Sequence, residues 1–475
     1  MTHLALILTA VLLFLFDDVA GGRDVLCLSN SALAAGVLLP KLALLAWAVW
    51  RGRVAARRLG GASTAKALRW FNRNATWLPL FAAALFAADL WLGLLPRVRA
   101  AVGNPVMLDE LLVWAPTLVL LLVGHAARYR VERRLRENEI IRRADRGLPI
   151  HPVPSCAEWV AGRARQDLGL LLLPLLMLMA WGEAVVQLTD AGVLGPTLGL
   201  WLGPAGALGV LVIAPLVVRH ALDTVPVPPG PLRDHLLAQC AHHGVRVREV
   251  LLWRTHGTAL NAAVTGLVPR LRFVLLTDAL VEELPPPHLH AVMAHELNHV
   301  RHRHLPTLLL VAAGLLVAAA AGGEAAAQTL APLLPGGRSV WLDGTLAVLA
   351  LGLWVAAFGW ASRRIERQAD TPKVPAYQPA AAGSAPARGE PPAVFTADDV
   401  FPMLGALGQV ASRSHLAPHR FSWRHGSIAW RQAYLRGLVG MPVAAATIHA
   451  VVRRIRLAAV LLLVLGGLGL WWIEG

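Results

Sequence analysis

The sequence predicts a mainly α-helical, polytopic membrane protein with about nine transmembrane helices and a small α+β domain at the cytoplasmic face. Three observations lead to this fold class. The 475 residues are 56% hydrophobic and only 15% charged, whereas soluble domains carry about 25% charged residues. Apolar runs long enough to cross a bilayer recur along the chain. Two long polar segments, 220–304 and 362–455, interrupt these runs.

Charge and cysteine usage exclude two other classes of protein. The net charge of +15 could indicate nucleic-acid binding. The arginines, however, flank the apolar runs, which is typical of topology control and attraction to anionic lipid. We therefore predict a lipid bilayer and no nucleic acid as partner. The three cysteines, Cys27, Cys156 and Cys240, have no CxxC spacing, so they predict neither a disulfide framework nor a cysteine zinc site.

The apolar runs give the predicted spans. They lie at 3–16, 32–50, 77–96, 111–127, 168–189, 197–219, 305–321, 344–361 and 456–473. The first run lacks a basic start and a small-residue cleavage site, so we interpret it as a short membrane segment and not as a removed signal peptide. Lys41, Asp89 and Glu183 fall inside spans. Such residues either have a function, or they pair with one another or lie near a helix end, and these interpretations stay open.

The distribution of basic residues predicts which side each loop occupies. The loop 51–76 is rich in arginine and has no acidic residue, and 128–167 is again dense in arginine. The intervening loops 17–31 and 190–196 are acidic. A cytoplasmic N-terminus therefore satisfies the positive-inside rule and places both long polar segments in the cytoplasm. The Ala/Arg/Leu-rich composition is typical of a bacterial protein, which predicts the inner (plasma) membrane.

These patterns divide the chain into successive regions. The predicted regions are an N-terminal transmembrane region of about six helices at 1–219, a cytoplasmic α+β core at 220–304, a transmembrane hairpin at 305–361, a cytoplasmic segment at 362–455 and a C-terminal transmembrane helix at 456–475. Within 362–455, the Pro/Ala-rich stretch 371–392 is predicted to be a flexible insertion.

The core at 220–304 has the alternating pattern of a small α+β unit. Residues 231–243 predict a helix and 245–253 predict a strand. The apolar stretches on either side of Gly266 and Pro269 predict a hairpin. The prolines at 285–287 predict the start of a further helix.

That further helix contains the motif HELNH at 295–299. Residues four apart lie on one helix face, so His295 and His299 can reach one ion. Glu296 projects beside them, where it can take a proton from a water molecule. The neighbouring histidines are expected to be solvated or interfacial and not ligands; they are His288, His290, His302 and His304.

A third ligand is expected, because a catalytic zinc usually has three protein ligands. Glu366 and Asp370 are four apart on a predicted helix end after the eighth span. We expect Glu366 to bind the metal and Asp370 to hydrogen-bond a ligand histidine. The alternative is a solvated, charged helix end. The predicted placement on the same side of the membrane as HELNH favours a metal site for one Zn²⁺ per chain.

Four segments carry a resemblance to a known family. They are NAAVTG (261–266), VLLTDALVEEL (274–284), AVMAHELNHVRHRH (291–304) and SRRIERQAD (362–370). In this combination and order, the chain resembles the integral-membrane zinc metallopeptidases of the HtpX and CAAX prenyl protease (Ste-type) family over about residues 230–440. The resemblance implies that His295, His299 and Glu366 bind zinc and that Glu296 is the general base.

The resemblance also implies roles for three other residues. Asn261 would lie on an edge strand that holds an extended substrate. His425 would stabilise the oxyanion and Arg431 would support the site, although a basic surface turn is an equal alternative for both. Two positions depart from the family: Asn298 stands where glycine is usual, and Thr371-Pro372 should end the helix soon after Asp370.

The predicted function is that of a membrane-bound zinc-dependent endopeptidase. It would hydrolyse peptide bonds of membrane or membrane-proximal proteins, in quality control or processing. One alternative is a signal-transducing metalloprotease that cleaves a cytoplasmic regulator, which the short external loops disfavour. An intramembrane protease is disfavoured by the polar residues from Asn298 to His304. A non-catalytic scaffold that keeps the fold is disfavoured by the intact motif together with Glu366.

Overall fold

The fold is described from a computed structural model that covers residues 29–58, 64–103, 105–257, 259–335, 337–373, 393–413 and 417–474, with a few isolated positions before residue 29. The predicted first span at 3–16 and most of the predicted insertion at 371–392 lie outside these residues. The chain divides into two compact units, Met1–Thr224 and Val225–Gly475. As predicted, the described residues are mainly α-helical.

The first unit consists of helices joined by short loops. They are α1 (Asn30–Arg58), α2 (Thr64–Trp91), α3 (Leu94–Val102), α4 (Leu108–Asp145), α5 (Cys156–Ala164), α6 (Leu173–Asp190) and α7 (Pro196–Ala221), with a π-helical segment at Arg165–Leu172. Helices α2 and α3 meet at a bend of 63°.

The ionisable residues inside the first unit's helices have partners. Lys41 and Asp89 are almost fully buried and form an ion pair. Such a pair compensates two charges that would each be costly in an apolar surrounding. The Glu183 carboxylate accepts a hydrogen bond from the backbone N–H of Met107, at 2.7 Å. Pairing with one another is therefore observed for Lys41 and Asp89, whereas Glu183 has a backbone partner.

The second unit combines a small sheet with helices. The strands are β1 (Thr224–Pro226), β2 (Glu249–Trp253), β3 (Ala262–Thr265) and β4 (Phe273–Thr277). The helices are α8 (Pro231–His242), α9 (Asp278–Glu283), α10 (Pro286–Arg301), α11 (His304–Leu330), α12 (Val340–Asp370), α13 (Ala397–Arg413), α14 (Ile428–Arg436) and α15 (Ile448–Glu474). The helix predicted at 231–243 and the helix start at the prolines are confirmed.

The sheet has the order β1-β2-β4-β3 and places β3 at one edge. Strand β2 runs parallel to β4, and β3 pairs antiparallel with β4, so the predicted hairpin is confirmed. The strand predicted at 245–253 is shorter than expected: only Glu249–Trp253 is extended. The turn after β3 needs glycine: Gly266 has φ +112°, and a Cβ there would lie 2.4 Å from the Leu271 carbonyl oxygen.

The core of the second unit determines which face of α10 is turned toward the cleft. Leu289, Met293 and Leu297 recur every fourth residue and are buried against the sheet. His295 and His299 follow two positions after Met293 and Leu297, which puts them on the opposite side of the helix. The packing of this apolar stripe therefore orients the motif histidines away from the core.

Helix α10 and the apolar helix that follows it are separate elements. Helix α10 ends at Arg301, and Arg303 adopts the left-handed conformation with φ +54° before α11 begins at His304. Helix α11 then packs closely on α15. At Gly314 a Cβ would lie 2.5 Å from the Ala459 carbonyl oxygen, which is the close approach that small residues allow between membrane helices.

Among the described residues, six helices are long and apolar enough to cross a membrane, or seven if the bent pair α2–α3 counts as one span. They lie at Asn30–Arg58, Leu108–Asp145, Pro196–Ala221, His304–Leu333, Leu342–Asp370 and Val443–Ile473. The predicted total of nine is therefore not reached in this part of the chain. The stretch predicted at 168–189 falls on the π-helical segment and α6, which is not among the six.

Candidate metal centre

Three predicted ligands from two helices meet at one point. His295 and His299 of α10 direct their Nε2 atoms at each other, 3.2 Å apart. Glu366, in the last turns of α12, places Oε2 3.7 Å from His295 Nε2 and Oε1 3.8 Å from His299 Nε2. His295 and Glu366 are buried, and His299 is partly buried.

This donor set suits zinc. Two imidazole nitrogens and one carboxylate oxygen form a common set of protein ligands for a catalytic zinc. Ligand atoms about 2.0–2.2 Å from a tetrahedral zinc lie roughly 3.4 Å from one another. The three observed separations, 3.2, 3.7 and 3.8 Å, bracket that value. The residues present therefore fit one zinc ion.

Asp370 and Arg431 lie behind His295. The Nδ1 atom of His295 is 2.9 Å from Asp370 Oδ1. Arg431 of α14 donates to both oxygens of Asp370, from Nε at 2.8 Å and from Nη2 at 2.6 Å. Burial lowers the pKa of His295, but the hydrogen bond and the charge of Asp370 raise it, and the result lies above the usual value. Asp370 thus holds the Nδ1 proton and leaves Nε2 directed at the metal position.

Glu296 lies beside the two histidines on α10. Burial raises the pKa of its carboxyl to about 7, opposed by the charge of His295 and reinforced by that of Glu366. The backbone of Val264 in β3 also lies within hydrogen-bonding reach of this carboxylate. A carboxylate with a pKa close to neutral pH is suited to accept and return a proton.

Thr277, at the end of β4, forms hydrogen bonds with Asn261, the residue before the edge strand β3. The Thr277 hydroxyl accepts from the backbone N–H of Asn261 at 3.0 Å and donates to the Asn261 carbonyl at 3.1 Å. The exposed Asn261 therefore directs its own backbone groups at β4. Since these groups alternate along an antiparallel strand, those of Ala262 and Val264 point away from β4, toward the metal centre.

The other predicted residue, His425, also reaches the site. Its Nδ1 atom lies 3.1 Å from Glu366 Oε1, and about half of the side chain (53%) is exposed. His425 belongs to a loop that lines a cleft of about 1270 Å³ together with β3, α10 and Glu366. The structure thus brings all eight predicted site residues to one cleft or directly behind it.

Asn298 has a role in joining two helices that the sequence did not predict. Its side-chain amide donates to the carbonyls of Ala369, at 3.0 Å, and Thr371, at 3.3 Å. These bonds join α10 to the end of α12, which stops at Asp370 as expected from Pro372. The sequence signal for these bonds was the asparagine at position 298, where glycine is usual. A buried side-chain amide inside a helix needs a hydrogen-bond partner outside that helix.

For His304 the expectation of a solvated or interfacial side chain is wrong. The residue is only 1% exposed, and its Nδ1 lies 2.9 Å from His299 Nδ1. The sequence gives no periodic signal for this contact, because the helix breaks at Arg303 between the two histidines. Spacing rules for a continuous helix do not apply across such a break.

Comparison with known proteins gives matches of three kinds: a family, individual relatives and a solved structure. Residues 238–379 match Peptidase family M48. The chain is 27% identical over 217 residues to Protease HtpX of Xylella fastidiosa strain M12, covering 43% of this chain and 73% of the relative. Protease HtpX of strain M23 is 27% identical over 186 residues, covering 36% and 64%. A crystal structure of S. mikatae Ste24p matches with a TM-score of 0.43 and 14% identity, over 85% of this chain and 98% of that chain.

Proposed function

We propose that this chain, a membrane metallopeptidase with a family M48 domain, is a zinc-dependent endopeptidase that cleaves membrane or membrane-proximal proteins in quality control or processing. The observation that carries the proposal is the convergence of His295, His299 and Glu366 beside Glu296 and the edge strand β3.

The proposed ligands of one zinc per chain are His295, His299 and Glu366. Bound there, zinc supplies Lewis acidity, which polarises a carbonyl and makes a water molecule more acidic. The contact of His295 Nδ1 with Asp370 supports this role, because it leaves the Nε2 lone pair free.

Glu296 is the proposed general base. It accepts a proton from the attacking water and later gives a proton to the leaving amine, so the carboxylate is regenerated in each cycle. Its position beside both histidines and its pKa of about 7 support both transfers.

Strand β3 is the proposed holder of the substrate backbone. An extended peptide can add to a sheet edge through main-chain hydrogen bonds. The outward N–H and C=O groups of Ala262 and the C=O group of Val264 are the proposed partners, and the Asn261 side chain faces the same cleft. Backbone pairing of this kind tolerates many sequences, which suits processing or quality control.

His425 and Arg431 are the proposed supporting residues. His425 can donate to an oxyanion that forms near the metal position, which its 3.1 Å distance from Glu366 Oε1 supports. Arg431 acts through Asp370, since its two hydrogen bonds hold the carboxylate that orients His295.

We further propose that the metal centre faces the cytoplasm at a bacterial inner membrane. The support is the distribution of arginines, because the loops that share a side with 220–304 are the basic ones. The polypeptide substrates would then approach from the cytoplasm.

The test uses the full-length protein in detergent and in liposomes, with casein and a membrane protein as substrates. We expect Glu296→Gln to lower cleavage by about 10²–10⁴-fold while it still binds one zinc, because only the proton acceptor is removed. Glu282→Gln, in α9 outside the centre, is the matched control and should cleave like the wild type. Stoichiometric zinc in the wild type with cleavage that is equal in Glu296→Gln would contradict the proposal.

A further inference from the structure

A chain of hydrogen bonds, buried at His304 and exposed at His449, leads from the metal centre to the apolar helices. It starts at His299 and passes through His304 at the beginning of α11, Gln368 near the end of α12 and His449 at the beginning of α15. The separations are 2.9 Å from His299 Nδ1 to His304 Nδ1, 2.9 Å from His304 Nε2 to Gln368 Oε1, and 2.9 Å from Gln368 Nε2 to His449 Nδ1.

Only one set of proton positions satisfies all three bonds when His299 binds a metal. Metal binding uses the Nε2 lone pair of His299, so the proton of a neutral ring must lie on Nδ1. His299 then donates to His304 Nδ1, and His304 donates from Nε2 to the Gln368 carbonyl oxygen, which only accepts. The Gln368 amide in turn donates to His449 Nδ1. Both nitrogens of His304 are thereby used, which excludes this residue as a fourth ligand.

The arrangement matches what surrounds the other ligand histidine. His295 has Asp370 on its Nδ1 at 2.9 Å, and His299 has His304 on its Nδ1 at the same distance. Ligand histidines commonly donate their second N–H to a carboxylate, a carbonyl or a water, which fixes the tautomer and the ring plane. His299 has a neutral imidazole in this place instead.

The bonds behind His299 involve more of the membrane helices than the bond behind His295 does. Asp370 is held by Arg431 of α14, whereas His304, Gln368 and His449 lie on the three apolar helices α11, α12 and α15. These helices pack against one another, with α11 and α15 in the closest approach. A shift of α11 or α15 relative to α12 would therefore change the support of His299, whereas Asp370 and Gln368 move together on α12.

We propose that His304, Gln368 and His449 are positioning residues that fix the tautomer and ring plane of His299 from the membrane helices, and so set the zinc affinity. The inference rests on the proposed function only in taking His295, His299 and Glu366 as the zinc ligands. The chemical basis of this role is the order of donors and acceptors, in which His304 accepts a hydrogen bond at Nδ1 and donates one from Nε2.

The test measures zinc affinity of the purified full-length protein by competition with a chromophoric chelator. We expect His304→Leu to weaken zinc binding by about 10–100-fold, as is typical when a hydrogen-bond partner of a metal ligand is removed. Gln368→Met keeps the side-chain length, and we expect a smaller loss, because His304 is still present. The double variant should bind like His304→Leu alone, since both changes break one chain of bonds.

A second pair of variants separates positioning from packing. His304→Asn keeps a short acceptor that can receive the His299 Nδ1 proton, so we expect it to recover most of the affinity that His304→Leu loses. His302→Leu is the matched control: its ring stacks on those of His304 and His449 but makes no hydrogen bond in the chain of contacts. It should bind zinc like the wild type. Melting temperatures measured with chelator present report on folding without metal.

The outcomes distinguish this inference from the proposed function. Equal zinc affinity in the wild type and a folded His304→Leu variant overturns the positioning role and leaves the endopeptidase proposal intact. Equal losses in His304→Asn and His304→Leu also overturn it, because packing then explains the effect. Tight zinc binding with the expected ranking, but no cleavage that depends on Glu296, supports the positioning role and contradicts the endopeptidase proposal.

Discussion

At the scale of residues, the centre depends on which nitrogen of each histidine carries a proton. Burial lowers the pKa of His299 well below its usual range, and the charge of His295 lowers it further. His295 behaves in the opposite way, because the hydrogen bond and charge of Asp370 more than offset the effect of burial on its pKa. The two proposed ligands therefore differ in how readily they hold a proton that would compete with a metal.

This difference predicts the pH dependence of zinc binding. A raised pKa means that His295 takes up a proton at a higher pH than a free histidine, and a protonated ring cannot bind metal. We expect zinc affinity to fall as the pH falls below the raised pKa of His295, by up to about tenfold per pH unit. Chelator competition at several pH values measures this slope. An affinity that stays constant over the range would contradict the assignment of His295 as a ligand.

Asn298 predicts a second effect at this scale. Asn298→Ala leaves the carbonyls of Ala369 and Thr371 without this donor, and we expect it to lower the free energy of unfolding by about 1–3 kcal/mol. Asn298→Gly should cost about 0.5–1 kcal/mol more, although glycine is the usual residue of the family, because glycine loses more backbone entropy in a helix.

The measurement is denaturant or thermal unfolding of the full-length protein in detergent. Asn138→Ala, an exposed asparagine in α4, is the control and should change stability by less than about 0.5 kcal/mol. If Asn298→Gly is as stable as the wild type, the two hydrogen bonds do not stabilise the connection between α10 and α12.

The residues that the sequence could predict are those with a regular spacing. His295 and His299 are four apart on one helix, and so are Glu366 and Asp370 on another, so helical geometry alone pairs them. The contact of His304 with His299 depends on the backbone at Arg303, whose left-handed conformation has no pattern in the neighbouring residues. Local periodicity therefore predicts the proposed ligands but not the partner behind His299.

At the scale of elements, the hairpin of β3 and β4 supplies the edge strand next to Glu296. Thr277, the last residue of β4, bonds both backbone groups of Asn261, and Gly266 closes the other end of β3. These are the threonine and the glycine of two separate sequence segments, VLLTD and NAAVTG. The two segments are therefore parts of one hairpin.

Gly266→Ala tests this hairpin. The positive φ would cost about 1–3 kcal/mol with a side chain, and the Cβ would also overlap the Leu271 carbonyl oxygen at 2.4 Å. We expect a loss of unfolding free energy at the upper end of this range and faster amide exchange in 262–265. The control is Gly244→Ala, which has φ +68° but open space around its Cβ and should show the strain alone. Equal effects of the two variants would contradict the role of the close approach.

The order of the elements in the second unit was predictable from the sequence, but the break between α10 and α11 was not. The prolines at 285–287 mark the start of α10, and the alternation of apolar residues marks the hairpin. The stretch from Ala291 to Val311 contains no proline or glycine at the break itself. A non-glycine residue in the left-handed region is uncommon, so its position comes from tertiary packing.

At the scale of the whole molecule, the membrane helices of each unit are held by compact local packing. In the second unit, Gly314 and Gly466 let α11 and α15 approach each other at backbone distance. Helix α11 also begins at His304 and α15 at Ile448, next to His449. The same two helices therefore pack against each other and supply His304 and His449 of the chain behind His299.

Gly314→Leu tests this connection. The side chain cannot fit against Ala459, so we expect the melting temperature of the protein in detergent to fall and zinc affinity to weaken with it. Gly322→Leu, two turns further along α11, has open space around its Cβ and is the matched control that should change neither. A lower melting temperature with unchanged zinc affinity would show that the helices do not support the metal centre.

The sequence predicts the membrane class more securely than the number of spans. Composition and apolar runs identify a membrane protein, because they reflect the average environment of many residues. The stretch 168–189 shows the limit of this reasoning: it is apolar enough overall, yet it folds as a π-helical segment followed by α6, which contains Glu183 and Asp190. Counting hydrophobic residues does not reveal how a helix is wound.

The ion pair between Lys41 and Asp89 has a consequence for biosynthesis. Asp89 follows Lys41 by 48 residues, so at about 5–20 residues per second a ribosome delivers it roughly 2–10 s later. Until then Lys41 is a lone cation in a newly made apolar helix, at a cost of about 2.5–3.5 kcal/mol on insertion scales. Helix α1 is therefore expected to remain beside the insertion machinery until α2 is made. The two helices would then enter the lipid together as one hairpin.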